Sequence, residues 1–133
     1  MNTALTVRVY YEDTDAGGVV YYANYLKYLE RARTELLREL GFEQRQLAGE
    51  AGLAFAVRSL AVEYLKPARL DDLLAVATTV ESLGRAQVIF AQSIRRADET
   101  LLTATVRVAC LDLARGKATA MPQSLHQKLA QPR

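Results

Sequence analysis

Glu12, Asp13 and Asp15 place three carboxylates in four positions, and Gly17 and Gly18 follow at once, all within YYEDTDAGGVVYYANY at residues 10–25. Clustered charges repel and glycines cost backbone entropy, so as scaffold the segment conflicts with itself and points to a site. Carboxylates so placed can serve as general base toward water or attack a carbonyl directly. Either reaction develops an oxyanion, and the run Asp15-Ala16-Gly17-Gly18 leads into a helix start, where free N–H groups carry about half a positive charge. The glycines let the chain turn sharply and let a ligand approach without an intervening Cβ. Read from the residues alone, this is an oxyanion site beside a carboxylate. An aspartate near a helix start is more often a cap or a solvated turn residue. Tyr21, Tyr22 and Tyr25 each read as packing rings with a wet hydroxyl, and Asn24 reads as a local backbone hydrogen bonder.

Other chemistries have weaker support. His126 is the sole histidine, lies in a polar tail, and no GxSxG elbow surrounds Ser59, Ser82, Ser93 or Ser124, which argues against a serine-histidine hydrolase. One cysteine and one distant histidine do not furnish a zinc set; a carboxylate-only Mg²⁺ site at Asp13 and Asp15 is the metal reading left open. Neither GxGxxG nor GxxxxGK[ST] occurs.

The acidic run must be positioned by its neighbours. Leu5, Val7, Val9 and Tyr11 alternate with polar residues and predict a strand leading into it. Leu26, Leu29, Ala32, Leu36 and Leu40 share a helical face and predict an amphipathic helix of about five turns, stopped by Gly41. Beyond a polar connection, EQRQLAGEAG, strands are predicted over 55–66, 73–82, 87–96 and 101–113, separated by Pro67 with Asp71-Asp72, by Gly84, and by Ala97-Asp98-Glu99. Leu102, Ala104, Val106, Val108 and Cys110 fall on one face of the last strand, an apolar side for Leu29 and Leu36 to cover. The predicted class is α+β, one helix packed across an antiparallel sheet. One helix leaves a sheet edge open, which predicts a homodimer. The tail, 114–133, has Leu125 and Leu129 but little other periodicity and is expected to be a surface strand and a frayed end.

The 133 residues suit a single domain, 1–133. Its net charge is +2, with cations scattered among anions, so no nucleic-acid partner is expected. Cys110 sits among apolar neighbours and reads as a buried thiol in a reducing compartment. MNTALTVRVYYED lacks the marks of a signal peptide, and no apolar run approaches the ~20 residues of a membrane span. A cytoplasmic chain is expected.

The stretch VRVYYEDTDAGGVVYYANYLKYLERARTE, with VEYLKPARLDDLL at residues 62–74, resembles the hotdog-fold acyl-CoA thioesterases of the 4-hydroxybenzoyl-CoA thioesterase group. It looks most like the YbgC-type branch associated with the Tol-Pal envelope system. The resemblance implies a hotdog fold, a long helix packed on a five- to six-stranded antiparallel sheet, with dimers of joined sheets, often tetramers, and active sites at the dimer interface. It assigns Asp15 as catalytic base or nucleophile and the Tyr22 amide as oxyanion donor, with Gly17 and Gly18 in the turn that admits the thioester. It also implies Tyr25, Lys66 and Arg85 at the substrate, the two cations toward coenzyme A, and Asp13 and Glu30 in support. Many YbgC-type members carry histidine where this chain has Tyr22, so that assignment rests on the backbone. The implied activity is hydrolysis of acyl-CoA to free acid and CoA with no metal or organic cofactor. The other implied role is an adaptor that binds acyl-CoA or acyl carrier protein in envelope or phospholipid synthesis.

Overall fold

Val7 and Val9 turn inward while Thr6 and Arg8 face water, and strand β1 runs over Thr3–Arg8. The computed structural model describes residues 3–131. The alternation expected to carry β1 through Tyr11 stops earlier. The Tyr10 amide donates to Asp13 Oδ2 at 2.8 Å, and Tyr11–Asp13 curls into a 3₁₀ turn that leaves Tyr11 83% exposed. A side-chain acceptor three residues ahead competes with the strand ladder and wins.

Helix α1 spans Asn24–Glu39 and buries Tyr25, Tyr28, Leu29, Ala32, Leu36 and Leu37, one stripe at three- and four-residue spacing. Gly41, at φ +92°, turns the chain out of the helix. The connection expected to be merely polar contains a helical turn, α2 (Gln44–Gln46), which continues as a π-helical turn over Leu47–Ala51 and buries Leu47.

Strands β2 (Leu53–Tyr64), β3 (Leu73–Leu83), β4 (Gln87–Arg96) and β5 (Glu99–Asp112) join β1 in one antiparallel sheet of order β1-β3-β4-β5-β2. The two-residue β6 (Lys117–Ala118) extends it beside β5. One face of the sheet is buried residue by residue: Leu74 and Val76 on β3, Val88, Phe90 and Ile94 on β4, and Leu102 to Cys110 at alternate positions on β5. That face curls around α1. Burial raises the pKa of the Cys110 thiol.

The tail departs from the expectation of a frayed end. Helix α3, Gln123–Ala130, docks Leu125 and Leu129 into the core together with Met121. Its Lys128 Nζ donates to the Leu40 carbonyl at 2.9 Å, satisfying one of the open acceptors at the end of α1. Arg133, counted in that tail, lies outside the described residues.

Two polar side chains interrupt the apolar layer between α1 and the sheet. Gln92 Nε2 donates to the Leu29 carbonyl at 3.0 Å and to Thr78 Oγ1 at 2.8 Å, and its Oε1 accepts from Arg33 Nη1 at 3.0 Å. Every atom of that buried amide has a partner.

Candidate active site

Asp13, Asp15 and the two glycines form one small hairpin between β1 and α1. Thr14 bridges Val20, the Asp15 amide donates to the Val19 carbonyl at 2.8 Å, and the Gly18 amide donates to the Asp15 carbonyl at 3.0 Å. Gly18 sits at φ +79°, a backbone that side-chain-bearing residues rarely adopt. The Gly17 amide donates to Asp15 Oδ1 at 2.8 Å, and a Cβ on Gly17 would stand 3.3 Å from that oxygen. Thus one carboxylate oxygen of Asp15 is fixed by the turn. The other makes no hydrogen bond among the described residues, and the side chain is exposed.

Asp13 has a different task. Its carboxylate holds the Tyr10 amide, and its carbonyl accepts from the Tyr21 amide at 3.0 Å and from Asn24 Nδ2 at 2.9 Å. It ties the entry and exit of the hairpin to the start of α1. Tyr28 lies beneath, buried, with no hydrogen-bond partner for its hydroxyl among the described residues. Burial, and then the nearby Asp13 carboxylate, push that phenol upward.

The start of α1 carries no side-chain cap: Ala23 occupies the cap position in a helical conformation. The Tyr22 amide, just before it, has no acceptor among the described residues. The Tyr22 carbonyl accepts from the Tyr64 hydroxyl at 3.1 Å, and the Tyr22 and Tyr64 rings meet edge to face at 6.4 Å. Tyr64 was not singled out by the sequence reading; its signal is its place in VEYLKP at the end of β2. The hairpin sets Asp13 opposite Tyr21 and Asp15 opposite Val19, so the exposed Asp15 carboxylate, Gly17, Gly18 and the open helix start at Tyr22 belong to one continuous segment.

A second loop, residues 65–72, braces this hairpin. The Val20 amide donates to the Ala68 carbonyl at 2.8 Å, Val19 bridges Arg69, and the Ala68 amide donates to the Tyr25 hydroxyl at 2.9 Å. Tyr25, expected at the substrate, is only 3% exposed and serves this chain as a post under the loop. Lys66, expected near coenzyme A, pairs with Glu99 at 2.6 Å. Arg96 joins the Pro67 carbonyl, Asp72 at 2.7 Å and Glu99. Burial disfavours the charged form of Asp72, but the Arg69 amide and Arg96 outweigh it and hold the carboxyl below its ordinary range. A depressed folded-state pKa contributes stability that is complete above pH ~4 and lost as pH falls through the lower value. Denaturant midpoints of the wild type are accordingly expected to fall as pH drops below ~4. Arg96→Met starts less stable at neutral pH and loses less on acidification.

Two expected site residues lie elsewhere in the chain. Glu30, on an exposed face of α1, hydrogen-bonds the Thr34 hydroxyl at 2.8 Å and forms no ion pair with Arg31 or Arg33. Arg85, between β3 and β4, lines a cavity of about 310 Å³ with Met121 and His126 beside α3, apart from the hairpin. Among the described residues no group of three or more histidine, cysteine or acidic side chains is placed to hold a metal ion, and no helix is long and apolar enough to cross a membrane.

A sheet curled around one long helix, with an acidic hairpin at the helix's uncapped start, is the hotdog architecture of thioesterases. The chain belongs to the thioesterase-like superfamily, whose family model matches residues 9–129. Within that class it is similar to the acyl-CoA thioesterase YbgC of Haemophilus influenzae, 53% identical over 119 residues that cover 90% of this chain and 88% of that one. The acyl-CoA thioester hydrolase YbgC of Escherichia coli O157:H7 is 50% identical over 129 residues, covering 94% and 96%. Among solved structures, a probable thioesterase from Bartonella henselae superposes with a TM-score of 0.87 at 38% identity, over 92% of this chain and all of that one.

Proposed function

We propose that the chain hydrolyses acyl-CoA thioesters to free acid and CoA, with Asp15 as the reacting carboxylate and the Tyr22 amide as oxyanion donor. The observation that carries this reading is the exposed Asp15 carboxylate, held through one oxygen by the Gly17 amide in the hairpin that leads into the uncapped start of α1. Water adds to the thioester carbonyl as its proton passes to Asp15, the carbonyl oxygen takes the negative charge, and the C–S bond then breaks to release CoA as thiolate. In the nucleophilic variant Asp15 attacks first and water opens the resulting anhydride. The likeness to relatives named as acyl-CoA thioesterases supports the substrate class. Mass spectrometry of products formed in H₂¹⁸O over many turnovers tests it: the heavy oxygen is expected in the acid and not in CoA. An unlabelled acid, or acyl transfer to another acceptor, would reject hydrolysis.

The second part of the reading is a homodimer joined along β2. This strand is a sheet edge twelve residues long, and Val57, Leu60 and Tyr64 on it are large, apolar and exposed. An uncovered edge of that kind pairs with another chain. Lys66 and Arg85 supply positive charge for the phosphates of coenzyme A, from one copy or from both. Leu60→Asp puts a carboxylate at the middle of this edge and is expected to weaken self-association about 30-fold, read by sedimentation at several concentrations. An unchanged association constant would move the interface elsewhere.

A further inference from the structure

Arg33 is a half-buried cation in salt-bridge contact with no acid among the described residues, Glu30 one turn away acting on it through its charge alone, and its setting gives it a use. It projects from α1 into a cavity of about 90 Å³ that opens between the helix and the sheet at the β2 side. The sheet side of the cavity is apolar, with Phe55, Phe90 and Val108; the helix side carries Glu30, Arg33 and Thr34. One guanidinium nitrogen, Nη1, is spent on Gln92 Oε1 at 3.0 Å. The 4% exposed Gln92 cannot turn away, because its own Nε2 is held by the Leu29 carbonyl and Thr78. The guanidinium is therefore tethered through Nη1 to a buried relay, while its other donors make no hydrogen bond within the described residues and are not fully buried. Partly desolvating an arginine with no carboxylate in hydrogen-bond contact is costly, and a tethered fork with unused donors beside an apolar cavity suits an acceptor that arrives with a ligand.

We propose that Arg33 is a specificity-determining residue, positioned by Gln92, that donates to a neutral oxygen at the far end of the substrate's acyl group. This rests on the thioesterase reading above and names the acyl class for it. In a dimer whose β2 strands pair antiparallel about their middle, the Phe55 end of one lies beside the Tyr64 end of the other, which turns the cavity of one copy toward the acidic hairpin of its partner. Glu30 at the rim carries the charge opposite to Arg33, so the pair offsets a net charge and favours a hydroxyl, which accepts from Arg33, over a carboxylate, which Glu30 repels.

The test compares kcat/KM for straight-chain acyl-CoAs of matched length that end in methyl, hydroxyl or carboxylate. Wild type is expected to prefer the hydroxyl end over the methyl end by about tenfold, and Arg33→Met to erase that ratio while thermal unfolding reports its fold. Glu30→Gln, on the exposed rim, is expected to raise the carboxylate-to-hydroxyl ratio by about threefold or more, and it reads the same site if Arg33→Met does not fold. No wild-type preference for the hydroxyl end, a ratio unmoved in folded Arg33→Met, or a ratio unmoved in Glu30→Gln would overturn the proposal. Failure of the thioesterase reading shows separately, as no turnover of any of the three. The same ratios, taken as binding affinities by calorimetry, then decide the role of Arg33.

Discussion

Asparagine at position 15 is expected to lower kcat for acyl-CoA hydrolysis by about 100- to 10,000-fold while the protein stays folded. The substitution keeps an oxygen in the place of Oδ1, so the 2.8 Å hydrogen bond from the Gly17 amide, and with it the turn, has an acceptor. What it removes is the charge and the ability to take a proton or attack a carbonyl, which is the whole contribution assigned to Asp15. Asp15 caps no helix, since the cap position of α1 is Ala23. Stability is therefore expected to change little, and thermal unfolding measured beside kcat separates a catalytic loss from a folding loss. Equal rates in a folded Asp15→Asn protein would remove Asp15 from the chemistry, whether as base or as nucleophile.

Proline at position 22 is expected to cost about 100- to 1,000-fold in kcat, the scale of losing one oxyanion donor. The Tyr22 amide serves no other group among the described residues, so deleting it breaks no internal hydrogen bond. Position 22 lies one residue before the cap of α1, where proline interrupts no helical hydrogen bond, although Tyr21 is then biased toward extended backbone, which makes the unfolding midpoint a necessary companion measurement. Tyr22→Phe separates the hydroxyl from the backbone. It retains the amide and the contact with the Tyr21 ring at 4.8 Å, and its rate is expected to stay near wild type. A large loss in the phenylalanine variant, with the proline variant active, would assign the work to the phenol and reverse the reading.

Much of this architecture was legible where one physical signal acted alone. The helical stripe of Leu29, Ala32 and Leu36, the alternate burial of Leu102 to Cys110, and the stop at Gly41 all follow from periodicity or from glycine's freedom at positive φ. Helix α3 was not legible, because two leucines four residues apart are too short a pattern, and only the core beneath Leu125 turns them into a docked helix. The tyrosines part company only through the helix. Tyr21, Tyr22 and Tyr25 look alike in sequence, yet Tyr25 and Tyr28 continue the buried stripe of α1, whereas Tyr22 precedes the helix and stays exposed. Extending the stripe one turn toward the N-terminus singles out Tyr25 as the one of the three whose reading as a packing ring the core bears out. Asp13 and Asp15 likewise part company only through the hairpin's hydrogen bonds, one turned to the Tyr10 amide and the other to solvent. Tyr64 meets Tyr22 across 42 residues, a contact no local pattern announces.

The most direct test of the account is release of free thiol from acyl-CoA by the wild-type protein, followed with a thiol reagent beside a binding measurement on the same substrate. The account predicts continuing release, many equivalents per subunit. Saturable binding of acyl-CoA with no thiol released over hours would contradict it and leave the chain an acyl-CoA-binding module.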